Sequence, residues 1–370
     1  MAEGKLLFTP GPLSTTETVK QAMLRDLGSR DAEFLALVRQ VRATLLEIAG
    51  VAEPEYAALP LQGSGTYAVE AAVGALVPRG GRLLVAQNGA YGQRIAQLAR
   101  AQEIAVVPCD FAETQPVDAA VIAAALDADP QLGAVAVVHC ETSTGLVNPV
   151  SAIAEVTRCR GRRLLVDAMS SFGALPCPLG DWQADALVTS ANKCLQGVPG
   201  LALIVAKRSL LVAAQGQARC VSLDLAAQLA GLDRDGQFRF TPPTHALLAL
   251  QQALRELADE GGPGARLARY QKNQQALLAG MQKLAFQTLL PPSLLSPIIT
   301  SFRMPSRPDF DFSAFYQALS ERGFVIYPGK VSLADCFRIG TIGNLHPRNI
   351  EALLLAIAEV MPNPLPTSPR

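Results

Sequence analysis

Six short apolar runs recur between residues 82 and 205, and no other feature limits so strongly what the chain can fold into. They cover 82–86, 104–107, 134–138, 163–166, 186–189 and 201–205, and apart from Arg82, Arg163 and Thr189 at their ends each is continuously apolar rather than alternating. Strands read this way when helices cover both faces of a parallel sheet. Helix-length stretches lie between them, at 91–101, 118–126 and 150–159. Repeated strand–helix–strand units predict an α/β domain with a mostly parallel sheet. Such a sheet binds its ligand outside the carboxyl ends of its strands.

The pattern changes around Gly261-Gly262-Pro263-Gly264. A long polar helix is expected over 265–284 and a strand over 297–302. Beyond them come a helix over 311–322, strands over 324–327 and 336–339, and a last helix from Pro347 to about Met361. This second unit reads as a smaller α+β domain. Two domains also suit the length, because 370 residues exceed the roughly 250–300 at which one core stops growing. The expected division is a large domain over 15–264 and a small one over 265–370, with an N-terminal arm, 1–14, near the active site. The proline-rich tail 362–370 is expected to fray.

Lys plus Arg and Asp plus Glu number 32 each, so a broad nucleic-acid surface is not expected. Seven scattered cysteines with no Cys-x-x-Cys, and three histidines far apart in sequence, give a zinc site little to build on. Reduced thiols in a cytoplasmic protein are the expectation. No apolar run is long enough for a leader or a membrane span, so neither export nor membrane attachment is expected.

Three motifs carry chemistry. Gly63-Ser64-Gly65-Thr66 precedes an expected helix over 67–76, where free amides and hydroxyls can face an anion. Alone, this could be an ordinary helix cap, and no Lys-Ser/Thr follows to make it a nucleotide P-loop. Asp167 ends an apolar strand, on the side where a ligand binds; a helix cap is the plainer alternative. Lys193 follows the next strand, 26 positions downstream, where partial burial would lower its pKa; a solvated lysine is the plainer alternative. Together the three offer what pyridoxal phosphate needs: an anion cradle, a counter-ion for the ring nitrogen and an amine nucleophile.

The chain resembles the fold-type I (aspartate aminotransferase-like) pyridoxal-phosphate enzymes, in the branch of the alanine–glyoxylate aminotransferases. The similarity runs nearly end to end, through LLFTPGPL (6–13), LQGSGTYAVEA (61–71), NGAYGQR (88–94), CETSTG (140–145) and VDAMSSFG (166–173). It continues through SANKCLQGVPG (190–200), RFTPPTH (239–245), SPIIT (296–300), GFVIYPGKV (323–331) and CFRIG (336–340). Within the branch the chain is most similar to the transaminases that pair 2-aminoethylphosphonate with pyruvate.

The resemblance implies a role for each matching position. Lys193 would bond to the pyridoxal 5′-phosphate aldehyde and move protons, while Asp167 would hold the ring nitrogen protonated. Ser64, Gly65 and Thr66 match the phosphate cradle; Thr66 stands where serine is usual and keeps the hydroxyl. Tyr91 matches the aromatic that stacks on the ring, Thr142 a hydroxyl near its phenolic oxygen, and Asn192 the polar neighbour of the lysine. Thr241 matches a residue that reaches the neighbouring subunit's phosphate, which implies a homodimer with sites at the interface. Arg338 matches the arginine that grips the substrate carboxylate. A phosphonate donor calls for a second cation; Arg30 is the first choice and Arg94 the other candidate. An alanine–glyoxylate or serine–pyruvate aminotransferase is the alternative. A catalytically silent relative would be expected to lack Lys193 or Asp167. A cysteine-dependent lyase would use Cys336, whose place in a buried strand is the simpler reading.

Overall fold

The structure, a computed structural model, describes residues 4–329, 331 and 334–361; the tail expected to fray, 362–370, lies outside them. One sheet has seven strands: β1 (Tyr56–Gln62), β2 (Arg82–Gln87), β3 (Ala105–Asp110), β4 (Leu132–Val138), β5 (Arg163–Asp167), β6 (Ala186–Ser190) and β7 (Leu201–Lys207). Their spatial order is β1-β7-β6-β5-β4-β2-β3. Neighbours from β6 through β3 pair in parallel, whereas β7 runs antiparallel to both β6 and β1. The run at 201–205 is thus the one reversed strand. Only an unusually short link from β6, residues 191–200, precedes it, too short for the helical crossover that a parallel return requires.

Continuity of the apolar runs follows from burial on both faces. Successive side chains of a strand point to opposite sides. Leu84, Val135, Val137, Leu164, Val166 and Leu203 join one core cluster, while Leu83, Val85, Ala134, Ala136, Leu165 and Ile204 join the other. The first cluster is closed by α1 (Ala32–Ile48), and α2 (Gly65–Leu76) with α3 (Ala90–Ala101) closes the second. A later helix, α4 (Thr244–Asp259), packs on α1 through Leu247, Leu250 and Leu254. Strand β1 was not among the expected strands, because Pro60 interrupts its pattern. The proline is tolerated because β1 is an edge strand that pairs only with β7.

Helix α5 runs over Gly262–Lys283, three residues earlier than expected. Pro263 falls in its first turn, where a missing N–H costs no helical bond, so the Gly-Gly-Pro-Gly run starts the helix rather than preceding it. Beyond it, β8 (Ile299–Arg303), β9 (Tyr327–Pro328) and β10 (Cys336–Gly340) form an antiparallel sheet in the order β8-β10-β9. Phe286, Phe302, Phe315 and Phe337 pack beneath it with α5 and α6 (Pro347–Val360). The strand expected over 324–327 is divided. Phe324–Val325 pairs in parallel with Leu6–Leu7, and only Tyr327–Pro328 joins β10. The N-terminal arm is therefore laced into this second core, with Phe8 fully buried there. Among the described residues, no helix is long and apolar enough to cross a membrane.

Candidate active site

The carboxyl ends of β4, β5 and β6 open into a cavity of about 190 Å³ bordered by Ser64, Gly65, Thr66, Tyr91, Asp167, Asn192 and Lys193. Residues spread over 130 positions of sequence meet there because those strand ends lie side by side and α2 and α3 begin above them.

Asp167, the last residue of β5, is 5% exposed. Its Oδ1 accepts from the Met169 backbone N–H at 2.9 Å, and no arginine or lysine pairs with it among the described residues. Burial pushes its pKa up to about 6, and the carboxylate of Glu141 adds to this; the Met169 amide and the charges of Arg94 and Lys193 pull the other way. Such a carboxylate lacks a partner, and a protonated ring nitrogen would supply one as a charge-assisted hydrogen bond.

Lys193 sits in the loop after β6. Its Nζ donates to the carbonyls of Pro10, at 2.9 Å, and Gly11, at 3.4 Å. Burial lowers its pKa to about 8, with Arg338 and Arg94 contributing in the same direction against Asp167 and Cys194. The arm thus lies directly over the lysine. A Cβ on Gly11, whose φ is +120°, would come within 2.6 Å of the Lys193 Cδ.

Ser64 caps α2 in an extended conformation (φ −80°, ψ 165°), and its side chain accepts no hydrogen bond from the helix. Its hydroxyl and the first amides of α2 are left for an anion, which the helix dipole favours. Gly65 is required by space: a Cβ there would stand 2.1 Å from the Met169 Sδ. The cradle is thus in contact with Met169, whose backbone amide holds Asp167.

Tyr91 starts α3 and borders the cavity. Its ring carries the Arg94 guanidinium 5.1 Å from the centroid, and its side chain hydrogen-bonds Arg338. Arg338, on β10, is 2% exposed; its Nε donates to Pro328 O at 2.9 Å and its Nη1 to Thr142 O at 2.8 Å. Tyr327 lies 5.2 Å beneath it, and no carboxylate pairs with it among the described residues. Thr142 therefore meets the site through its backbone oxygen and is not among the residues bordering the cavity. Thr241 is exposed, tied to Gln62 Nε2 through its own carbonyl at 3.1 Å, and does not border the cavity of its own chain. Arg30 is exposed too, and its charge is felt at Asp235 rather than at the cavity.

Glu141 is the residue that sequence reasoning missed. It is fully buried, and its carboxylate accepts from the N–H groups of Tyr91 (3.1 Å), Gly92 (3.4 Å) and Ser143 (3.3 Å) and from the Ser143 hydroxyl (2.7 Å). It holds the start of α3, and with it Tyr91, at a fixed place. The signal was an acid placed just after a fully apolar strand, inside the Cys140–Gly145 motif.

Pyridoxal phosphate suits these residues on two structural grounds. Asp167 is a buried carboxylate without a cation, and the opening of α2 offers unclaimed donors beside a glycine that leaves no room for a side chain.

The chain is similar to known proteins along most of its length. The Aminotransferase class-V family profile matches residues 15–334. A 2-aminoethylphosphonate–pyruvate transaminase of Rhizobium meliloti (strain 1021) is 48% identical over 95% of this chain and 92% of its own. One from Klebsiella pneumoniae is 49% identical over 96% of this chain and 97% of its own. Among solved structures, pyridoxamine–pyruvate aminotransferase from Mesorhizobium loti superposes with a TM-score of 0.89 at 27% identity, covering 98% of this chain and 93% of that one. Alanine–glyoxylate aminotransferase from Nostoc sp. gives 0.88 at 26% identity, over 98% and 96%. The chain belongs to the class-V aminotransferase family, on the fold-type I architecture of the pyridoxal-phosphate enzymes.

Proposed function

We propose that the protein transfers the amino group of 2-aminoethylphosphonate to pyruvate, giving phosphonoacetaldehyde and L-alanine, with pyridoxal 5′-phosphate as cofactor. The observation that carries this reading is the pair Asp167 and Lys193, both on one cavity beneath the start of α2. Similarity of 48–49% to transaminases of that name, spanning both domains, supports the choice of substrates.

Bound there, pyridoxal phosphate supplies an aldehyde that takes up amines and a ring that withdraws electrons from the adjoining carbon. Ser64, Gly65 and Thr66 would hold its phosphate, Asp167 would keep the ring nitrogen protonated, and Tyr91 would offer an aromatic face. Lys193, with a pKa near 8, carries a useful fraction of free amine at neutral pH, so its Nζ can take a proton from the donor carbon and return it to the acceptor. Carbonyl acceptors on its Nε and Nη1 fix the Arg338 guanidinium, leaving donors for a carboxylate or phosphonate. Pro10 and Gly11 of the arm lie against Lys193 and hold its Nζ through their carbonyls. In the net reaction the donor carbon exchanges nitrogen for a carbonyl oxygen, and C2 of pyruvate does the reverse.

The working form in this proposal is a cytoplasmic homodimer. Thr241 lies outside its own cavity beside Phe240, which is 45% exposed, and a second subunit would cover that face and bring the threonine to the other site. A donor panel with purified holoenzyme tests the proposal. Turnover of 2-aminoethylphosphonate with pyruvate should exceed that of alanine or serine with glyoxylate; the opposite ranking would replace it with an alanine–glyoxylate or serine–pyruvate activity.

A further inference from the structure

Charge in the cavity is unbalanced. Arg94 and Lys193 border it and Arg338 hydrogen-bonds Tyr91 on its wall, yet Asp167 is the one carboxylate there among the described residues. Arg338 is anchored by two carbonyls. Arg94 is not: among the described residues its guanidinium has no carboxylate and no carbonyl acceptor, only the face of Tyr91. Other arginines of comparable exposure are engaged, Arg82 with Asp129 and Arg269 with Glu260, for example. A half-buried guanidinium that keeps all five donors unmet beside a cavity is a group waiting for an oxyanion.

Its position narrows the anion. Arg94 follows Tyr91 by three residues on α3, so both side chains share one face of the helix. Helix α3 packs against α2, whose first turn contains the Ser64–Thr66 cradle, and Arg94 borders the same cavity as those residues. A planar fork of donors matches the paired oxygens of a tetrahedral phosphorus dianion better than one hydroxyl does. Arg30, the other candidate for a second cation, is not on the cavity.

We propose that Arg94 is a phosphoryl-recognising residue of the site, its guanidinium binding the oxygens of a phosphate or phosphonate dianion. Two sources carry that chemistry, the cofactor's phosphate and the donor's phosphonate. The second rests on the substrates proposed above; the first does not.

Arg94→Ala and Arg94→Lys separate them. Alanine suits a helix, so both variants should fold, which an unchanged melting temperature of the apoprotein would verify. The first arm measures equilibrium binding of pyridoxal 5′-phosphate and of pyridoxal, which lacks the phosphate. Contact with the cofactor phosphate predicts a 10- to 100-fold loss for pyridoxal 5′-phosphate in Arg94→Ala, about no change for pyridoxal, and partial recovery in Arg94→Lys. The second arm measures KM for 2-aminoethylphosphonate and for pyruvate at saturating cofactor. Contact with the substrate predicts a similar rise for the phosphonate alone. If both arms stay within twofold of the parent protein, the proposal is overturned. If the parent protein does not use the phosphonate at all, the proposed substrates fall and the first arm alone decides the role of Arg94.

Discussion

Replacing Asp167 with asparagine should stabilise the apoprotein while destroying its function. The carboxylate is 5% exposed, accepts one backbone hydrogen bond and has no cationic partner, and burial raises its pKa from 3.8 to about 6. At 1.36 kcal/mol per tenfold change in proton affinity, keeping it ionised costs the folded state about 3 kcal/mol at pH 8. The sign follows from proton uptake. The folded chain holds this proton more tightly than the unfolded chain, so the neutral acid's advantage is intact below pH 4 and is lost as pH rises to about 6. Asparagine has the same shape, keeps an oxygen for the Met169 amide and carries no charge to desolvate. Thermal unfolding of apo Asp167→Asn should therefore lie above the parent at pH 8, by about 4 °C from the usual unfolding entropy per residue of a chain this long, and converge with it near pH 4. Cofactor retention and transamination should fall sharply in the same variant, because a neutral amide cannot hold the ring nitrogen protonated. Equal melting temperatures at pH 8, or a difference independent of pH, would refute the argument that Asp167 is a buried charge awaiting its partner.

Two more predictions concern the lysine and the strand of chain above it. Loading of pyridoxal 5′-phosphate onto apoprotein needs the free amine of Lys193, so its rate should rise about tenfold per pH unit below pH 8 and level off above; a midpoint near 10.5, followed by stopped-flow absorbance, would show an unburied amine. Gly11→Ala should lower kcat by about 100-fold with little change in KM for pyruvate, because the new methyl would displace the Lys193 side chain by about 1 Å or more. Steady-state kinetics of that variant at wild-type rates would show that the arm does not position the lysine.

Much of this molecule was legible along the chain because the relevant physics is local or periodic. Continuous apolar runs announced strands buried on both faces, and the structure divides Leu83 and Leu84, or Leu165 and Leu164, between opposite cores as that reading requires. Asp167 and Lys193 stood out only in combination with the Gly63–Thr66 turn, because each alone has a plainer reading as a cap or a solvated side chain. Edge position and chain direction were not legible. Pro60 hid β1 until the sheet made it an edge strand, and the run at 201–205 gave no sign that it runs against its neighbours. Glu141 escaped notice because its partners, the amides of Tyr91 and Gly92, lie about 50 residues away, and no spacing rule connects them.

Sequence by itself determined the α/β class with its mostly parallel sheet and supplied residue types of the right chemistry for an anion, a ring nitrogen and an aldehyde, since propensity, periodicity and side-chain chemistry are properties of short segments. Only the tertiary structure decided which of those residues meet. It set the arm over Lys193, withdrew Thr142's side chain from the cavity wall in favour of its carbonyl, left Arg30 in solvent and turned Arg94 toward the site. Those outcomes depend on how the arm, helices and strands pack together, among residues from about 30 to nearly 200 positions apart.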